Sequence, residues 1–531
     1  MQGVSKRAWL TLAGVLLLPL VSMWIVPFFD TSEPRYAEIA RIMAQSGDWI
    51  TPWLSPGVPF WGKPPLSFWA QAASMRLFGY TEFAARLPAW ICLLLSNVVL
   101  LRGLAILKGP RIAMMTAIIY STCSLVYISS GAVLTDPFLA LGTTLSLISF
   151  AVLAGTRLRD SGTGDPAASS GQPAGQASLS GWRYGFFVGL AIGLLAKGPL
   201  AAVVVFAPVV IWRVCTWRSG LSAGLPWGKG LVLTAALSLP WYVLAEIRTP
   251  GFLDYFIIGE HVRRFLDPGW TGDLYGTAHQ RPYGAIWLGW LEASFPWGLL
   301  VLGAVLGALC SVRIRGALRN LVQDPLLAYW LAAMLFTPVF LTFSANILWT
   351  YLLPALAGMS VLVALFLHEI ESRFDGPGKK LLTAVPAIVP ACVLLFSVIV
   401  SVDPDLRNTE RGLVRYAMQS QSASQPSSPL LYFSKPPFSA RFYSAGRVQE
   451  VTPGTFQRTS PYYLAVPRKQ QEDVADLLGK PLDPVYTNKR YLLVKVSPDQ
   501  RPSCPMDACS SRPDVLAMKD LPSGQRMTVT P

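Results

Sequence analysis

The sequence predicts an all-α protein that crosses a membrane many times and carries a small α/β domain after residue 402. Three observations predict it. Of the 531 residues, 52% are apolar and only 14% are charged, far from the balance of a soluble multidomain chain. Eleven apolar segments are long enough, or nearly so, to cross a hydrocarbon core about 30 Å thick. The basic residues recur in alternate loops, as the positive-inside rule requires.

The eleven segments fall near residues 8–28, 87–107, 112–132, 136–155, 183–196, 199–213, 231–247, 283–310, 326–343, 346–368 and 381–402. The first has no small-residue cleavage site after its apolar run, so it reads as a membrane helix and not as a cleaved leader. The fifth and sixth are short and hinge at Pro199. With the N-terminus inside, the inner loops hold Lys6 and Arg7, then Arg102, Lys108 and Arg111, then Arg157, Arg159 and Arg183. They continue with Arg213, Arg218 and Lys229, then Arg313, Arg315 and Arg319, and last Arg373, Lys379 and Lys380. Every inner loop is basic, which places the C-terminus outside. The net charge of +14 therefore records topology, and no nucleic-acid partner is expected.

Residues 1–402 read as one transmembrane domain with two large outer loops, 29–86 and 248–282, and an inner loop, 156–182, of flexible Gly, Ser, Ala and Pro composition. Residues 403–531 hold strand-like runs at 430–434, 462–466 and 491–496 and a helical run at 470–478, a small outer α/β domain. Cys504 and Cys509 lie in this tail, close enough for a disulfide in an oxidising compartment, with a zinc pair as the alternative.

Ionisable residues at membrane depth are costly, about 2.5 to 3.5 kcal/mol each at a helix centre. Four clusters at the outer helix mouths therefore call for an explanation. The first is Glu33-Pro34-Arg35-Tyr36, where Pro34 suits a first helical turn, Gly47 suits the end, and Tyr36, Ile39, Ala40 and Met43 share a face. It reads as a helix lying in the interface, and Glu33 could simply complement its positive end. The second is Lys63 in Trp61-Gly62-Lys63-Pro64-Pro65, able to hold a lipid phosphate or merely to snorkel beside an aromatic belt. The third pairs Asp136-Pro137 with Lys197-Gly198. Each suits a helix end, yet together they offer a carboxylate and a phosphate-neutralising cation. The fourth is Glu260-His261-Val262-Arg263-Arg264, where His261 and Arg264 share a face on an α-helix and could grip one anion. A solvated basic face on lipid headgroups is the bland alternative. With three histidines in the chain, a multi-histidine metal site is not expected; a divalent metal stays an open alternative that no ligand cluster supports.

Glu33 to Arg41, Ser46-Gly47-Asp48-Trp49, Lys63-Pro64-Pro65, Leu134 to Asp136, Lys197-Gly198 and Glu260-His261 to Arg264-Phe265 follow one another in an order that resembles the aminoarabinose transferase-like branch of membrane glycosyltransferases. That branch is related to protein O-mannosyltransferases and has the GT-C architecture. The likeness spans roughly residues 8 to 370. It implies a GT-C-type protein of about 11 to 13 transmembrane helices, in the bacterial inner membrane with its C-terminal domain periplasmic. It also implies a glycosyltransferase that takes a sugar from a polyprenyl-phosphate-linked donor and passes it to a lipid A-like, polysaccharide or protein acceptor.

By the same resemblance, Glu33 and Asp136 are the catalytic carboxylates, with Arg35 and Tyr36 supporting Glu33, and Lys63, Lys197, His261, Arg264 and Tyr351 hold the donor phosphate. The chain departs from the family pattern at Ser32, Gly62 and Ile347, where an acidic residue, an acidic residue and a lysine are common. These departures argue against carrying over aminoarabinose as the sugar. Two other functions fit parts of the sequence: a transporter or flippase of lipid-linked sugar, and a non-catalytic relative that binds one. Transporters favour midplane charges and repeated halves, whereas here the charges sit at helix ends.

Overall fold

The computed structural model describes residues 4–162, 176–217, 223–267, 270–276, 281–344, 346–371, 384–420, 428–451 and 461–497, with side chains 160–178 and 405 also left out. Cys504, Cys509, residues 163–175 of the 156–182 linker, Arg218 and the Arg373, Lys379 and Lys380 segment lie outside the described residues. The chain divides into two compact units, Met1–Pro404 and Asp405–Pro531.

The first unit is helical. In chain order its main helices are α1 (Lys6–Ile25), α2 (Ser32–Ser46), α3 (Leu66–Phe78), α4 (Glu82–Lys108), α5 (Pro110–Thr122), α6 (Ser124–Ser130), α7 (Asp136–Gly162), α8 (Gln176–Lys197), α9 (Leu200–Cys215) and α10 (Trp227–Arg248). After a π-helix (Asp254–Arg263) come α11 (Arg264–Leu266), α12 (Ile286–Ser294), α13 (Trp297–Cys310), α14 (Val312–Val322), α15 (Leu327–Thr342), α16 (Ala355–Glu371) and α17 (Ile388–Val402). Each of the eleven apolar segments contains a helix. Among the described residues, six helices are long and apolar enough to cross a membrane, and nine spans result if each sharply bent pair counts as one. One bend falls between α5 and α6 at 70°, another between α12 and α13 at 109°. The chain is a multi-pass membrane protein.

α7 and α8 form the centre of this unit. Gly185, Gly189 and Gly193 recur every four residues along α8, the small-xxx-small spacing that lets two helix backbones approach closely. The approach is tight enough that a Cβ added to Gly189 would stand 2.5 Å from the carbonyl oxygen of Gly142, and one added to Gly142 would stand 2.5 Å from that of Gly189. Ser146 of α7 closes the seam by donating to the Phe186 carbonyl at 2.8 Å. Because backbone, not a flexible side chain, blocks the space, Gly189→Val is expected to overpack this seam. The cost should be about 2 kcal/mol, read as a lower unfolding midpoint of the purified protein, and the ends of α7 and α8 should move apart.

Two ends of the bundle follow from the contacts. At one end Lys108 pairs with Asp324 at 2.7 Å and Arg111 with Glu371 at 2.6 Å, while Arg159 donates to the Ile106 carbonyl at 3.0 Å. These are the basic residues that the sequence assigns to one side. The other end gathers the N-terminus of α7, the C-terminus of α8 and residues 29–86. There α2 starts at Ser32 and stops at Gly47, which takes φ 75°, a left-handed conformation that favours glycine. Tyr36, Ile39, Ala40 and Met43 are buried, as are Glu38 and Arg41. These last two form a bidentate pair at 2.6 Å. α2 is thus enclosed on more than its apolar face. A small hairpin of β1 (Trp53–Ser55) and β2 (Val58–Pro59), which the sequence reading does not anticipate, separates α2 from α3.

The second unit contains a five-stranded mixed sheet of β3 (Leu430–Tyr432), β4 (Gln449–Glu450), β5 (Tyr462–Pro467), β6 (Pro484–Thr487) and β7 (Tyr491–Val496), in the order β4-β3-β5-β7-β6. β3 runs parallel to β4 and β5, and β7 runs antiparallel to β5 and β6. The expected strands are present, and the expected helix is found over Gln471–Leu478. Glu410, fully buried, is held by Arg490 at 2.7 Å and Asn488 at 2.8 Å.

Candidate active site

The end of the bundle that carries Asp136 and Lys197 opens into a cavity of about 180 Å³. Three chain segments distant in sequence supply its cations: Lys63 from the loop after β2, Lys197 from the last turn of α8, and Arg264 from the end of the π-helix. Tyr351 and His261 also line it. Leu200, Val203, Phe265 and Phe340 give it an apolar flank. A lining that combines cations with apolar side chains suits an amphiphilic anion.

The glycine seam explains the first pair. Close packing of α7 on α8 brings the N-terminal carboxylate of one helix to the C-terminal ammonium of the other, and Asp136 Oδ1 accepts from Lys197 Nζ at 2.7 Å. Both residues are buried, at 5% and 6% exposure. Lys197 also sits 4.5 Å from the centre of the Tyr351 ring. Asp136 does not itself line the cavity. It touches it through Lys197.

Glu260 is the centre of a second group. Its carboxylate accepts from both Arg264, at 3.0 Å, and Tyr255, at 3.1 Å, and lies 3.6 Å from Lys63 Nζ. Arg264 has a further acidic neighbour in Asp273 at 3.3 Å. Burial alone would raise the Glu260 carboxyl, but Lys63 and Arg264 outweigh it and hold the group below its ordinary value. Glu260 is therefore ionised at neutral pH. Tyr351 also lines the cavity, where its phenol can donate a hydrogen bond. Burial keeps Tyr275 protonated, with its value pushed up to about 12.

His261 reaches the cavity in a way the sequence does not indicate. The expected shared face with Arg264 assumes α-helical spacing, whereas residues 254–263 follow the wider π register. Its Nδ1 lies 2.7 Å from the Phe256 carbonyl oxygen and its Nε2 lies 3.1 Å from that of Lys197. Each ring nitrogen thus faces a backbone carbonyl; burial lowers the imidazole's value, and the neutral ring, with one N–H, donates to one of the two. His261 ties the π-helix to the end of α8, and Arg264 pairs with Glu260 instead.

Glu33 stands apart from the cavity lining. Arg86 of α4, which the sequence reading passes over, binds both its oxygens, at 2.7 and 2.9 Å, and the Val133 N–H donates to it at 3.1 Å. Arg86 is 2% exposed and also donates to the Val26 carbonyl at 2.6 Å. Arg35, beside Glu33, donates to the Tyr275 carbonyl at 2.5 Å and lies over the rings of Tyr36 and Phe60. It fastens the first large loop to the second. Tyr36 packs edge-on against Phe60 and Phe68. Among the described residues, no group of three or more His, Cys, Asp or Glu is arranged to hold a metal ion.

Comparison with known proteins bears on this arrangement. Residues 8–256 match the dolichyl-phosphate-mannose-protein mannosyltransferase family. The undecaprenyl phosphate-alpha-4-amino-4-deoxy-L-arabinose arabinosyl transferase of Edwardsiella ictaluri is 31% identical over 375 residues, covering 69% of this chain and 60% of that protein. Its counterpart in Pseudomonas aeruginosa is 29% identical over 385 residues, with the same coverage. The crystal structure of ArnT from Cupriavidus metallidurans bound to undecaprenyl phosphate superposes with a TM-score of 0.70 at 17% identity, over 92% of this chain and 98% of that one. The chain is similar in sequence to these aminoarabinose transferases and shares the fold of the solved one. It spans about 60% of the length of the curated relatives named above. Within that shared fold, Lys63, Asp136, Lys197, Glu260 and Arg264 gather at one end of the bundle, in or beside one cavity.

Proposed function

We propose that the chain is a glycosyltransferase that moves a sugar from a polyprenyl-phosphate-linked donor to an acceptor on a lipid, polysaccharide or protein. The observation that carries this reading is the convergence of Lys63, Lys197, Arg264 and Tyr351 on one cavity with an apolar flank. The phosphate sits among these four groups while the first isoprene units lie along Leu200, Val203, Phe265 and Phe340. The basic residues at the opposite end of the bundle support an inside assignment for that end. The cavity then faces the periplasm, the N-terminus is cytoplasmic, and the second unit is periplasmic.

The acceptor oxygen attacks the anomeric carbon while the bond from that carbon to the phosphate oxygen breaks. The electron pair leaves with the phosphate, and the acceptor proton goes to a carboxylate. Lys63, Lys197 and Arg264 stabilise the charge that grows on the departing phosphate, and Tyr351 donates a hydrogen bond to it. Asp136 is the carboxylate we favour as base. Among the described residues its carboxylate pairs with Lys197, and a phosphate that draws Lys197 toward itself frees Asp136 to take a proton.

The test is a comparison by mass spectrometry of lipid A, surface polysaccharide and protein glycans between a deletion strain and its complement. A glycan that is lost on deletion and restored on complementation is the expected result. Unchanged glycans with an altered uptake profile would favour a transporter instead. In the complemented strain, Lys63→Met and Arg264→Met should each lower donor use by roughly 10- to 100-fold, the value of one charge-assisted hydrogen bond at about 1.5 to 3 kcal/mol. The effect should appear chiefly in the apparent KM for donor, since these side chains meet the phosphate before and during transfer.

A further inference from the structure

Counting charge around the cavity gives an unexpected balance. Lys63, Lys197 and Arg264 are opposed by Asp136, Glu260 and Asp273, each within 3.6 Å of one of the cations. These six side chains sum to no net charge. An incoming phosphate finds no spare positive charge unless an acidic side chain yields its partners. Glu260 yields the most, because its side chain, 7% exposed, occupies two of the cations that a phosphate needs. It draws on Arg264, Tyr255 and Lys63 together, whereas Asp136 draws on Lys197.

We propose that Glu260 is an internal stand-in for the donor phosphate, which holds Lys63 and Arg264 in place in the empty site and expels the spent carrier after transfer. This rests on the phosphate-binding reading of the cavity. The chemistry gives the stand-in a direction. In the donor the phosphate is a diester with one negative charge. After transfer it is a monoester, whose further ionisation near neutral pH brings it close to two charges. Glu260 therefore repels the product more than the donor, and its return to Lys63 and Arg264 opposes product retention. Glu260 acts through the cations it positions and touches neither the sugar nor the acceptor.

The π-helix is what makes this placement possible. Residues 254–263 put Tyr255 and Glu260 five apart with a direct hydrogen bond between them, the pairing that a π register brings together. Glu260 and Arg264, four apart across the π-to-α junction, still meet. On a uniform α-helix the Tyr255 and Glu260 side chains would point away from each other. Arg264 in addition has a buried Nε with no hydrogen-bond partner, so it retains donor capacity for an anion after Glu260 is satisfied.

The experiment measures equilibrium binding of three probes to the full chain in nanodiscs: a polyprenyl monophosphate, its methyl diester and the uncharged polyprenol. Glu260→Gln keeps the shape of the side chain and one acceptor oxygen for Tyr255 and Arg264, while it removes the charge and the second acceptor. It should bind the monophosphate about tenfold more tightly or better, the effect of one nearby like charge in a partly buried site. The methyl diester should gain less and the polyprenol nothing. In turnover with a glycosylated donor, KM and kcat should fall together as product release becomes limiting. Monophosphate binding that is unchanged or weaker in Glu260→Gln, with wild-type binding intact, would overturn the proposal and leave Glu260 as a structural brace. If wild-type protein binds polyprenol as tightly as the monophosphate, the phosphate reading itself fails. Should Glu260→Gln not fold, Asp273→Asn removes the second acidic neighbour of Arg264. It should tighten monophosphate binding severalfold, and no tightening in it would count against the charge balance on which the proposal stands.

Discussion

Glu33→Gln is expected to lower the stability of the transmembrane unit by about 3 kcal/mol, the loss typical of breaking one partner out of a buried ion pair. Arg86 is 2% exposed and gives two of its donors to Glu33. With a neutral amide opposite, the guanidinium keeps its desolvation cost and loses the charge that offsets it. The Val133 N–H, which also donates to Glu33, connects this pair to the segment before Asp136, so the damage should reach the cavity. The companion substitution Arg86→Met removes the stranded cation, and the double variant should regain most of the lost stability. Thermal or denaturant unfolding of purified single and double variants checks this. The double variant also separates the two roles open to Glu33. If it folds and transfers sugar, Glu33 is a brace; if it folds and is inactive, Glu33 takes part in the chemistry.

Much of this was legible in the residue order, and the remainder shows what a linear reading misses. Asp136, Lys197, Lys63 and Arg264 stood out because charge at the mouth of an apolar helix needs a partner or a function, and the cavity gathers three of the four with the fourth one contact behind. Arg86 was not legible. It stands 53 positions from Glu33 at the edge of an apolar segment, where nothing local marks it as the partner of a distant carboxylate. Glu260 lay in plain view beside His261, but its role depends on Lys63, almost 200 residues earlier, and on a π register that no periodicity announces. The glycines at 185, 189 and 193 did carry a readable signal, a strict four-residue spacing in an apolar run. Reading it would have tied α7 to α8, and so Asp136 to Lys197, before any coordinates. The hairpin at 53–59 was hidden because its strands are two or three residues long, too short to show alternation.

Asp136→Asn is expected to reduce transfer by about 10³-fold, within the range of a general base, while leaving donor binding intact or tighter. The reasoning starts from the Asp136 and Lys197 pair at 2.7 Å. There the carboxylate and the ammonium satisfy each other, and on the proposed reading the pair must part before Asp136 takes a proton. A bound phosphate competes for Lys197, and each step of Lys197 toward it makes Asp136 a better proton acceptor. Asparagine removes the base yet still presents an oxygen to Lys197, so the ammonium remains in place and is freer to meet the phosphate. A structural role alone predicts a different pattern. Asp136 opens α7, and asparagine caps a helix about as well as aspartate does, so a variant lost through misfolding would argue against catalysis. Lys197→Met provides the contrast: it should weaken donor binding and leave Asp136 without its partner, lowering both kcat and kcat/KM. Measuring KM and kcat for Asp136→Asn, Lys197→Met and the double variant therefore distinguishes base from clamp. A fall in kcat with unchanged or lower KM in the first, against a rise in KM in the second, is the expected split. Equal losses in both parameters for both variants would mean that the pair acts only to hold α7 against α8.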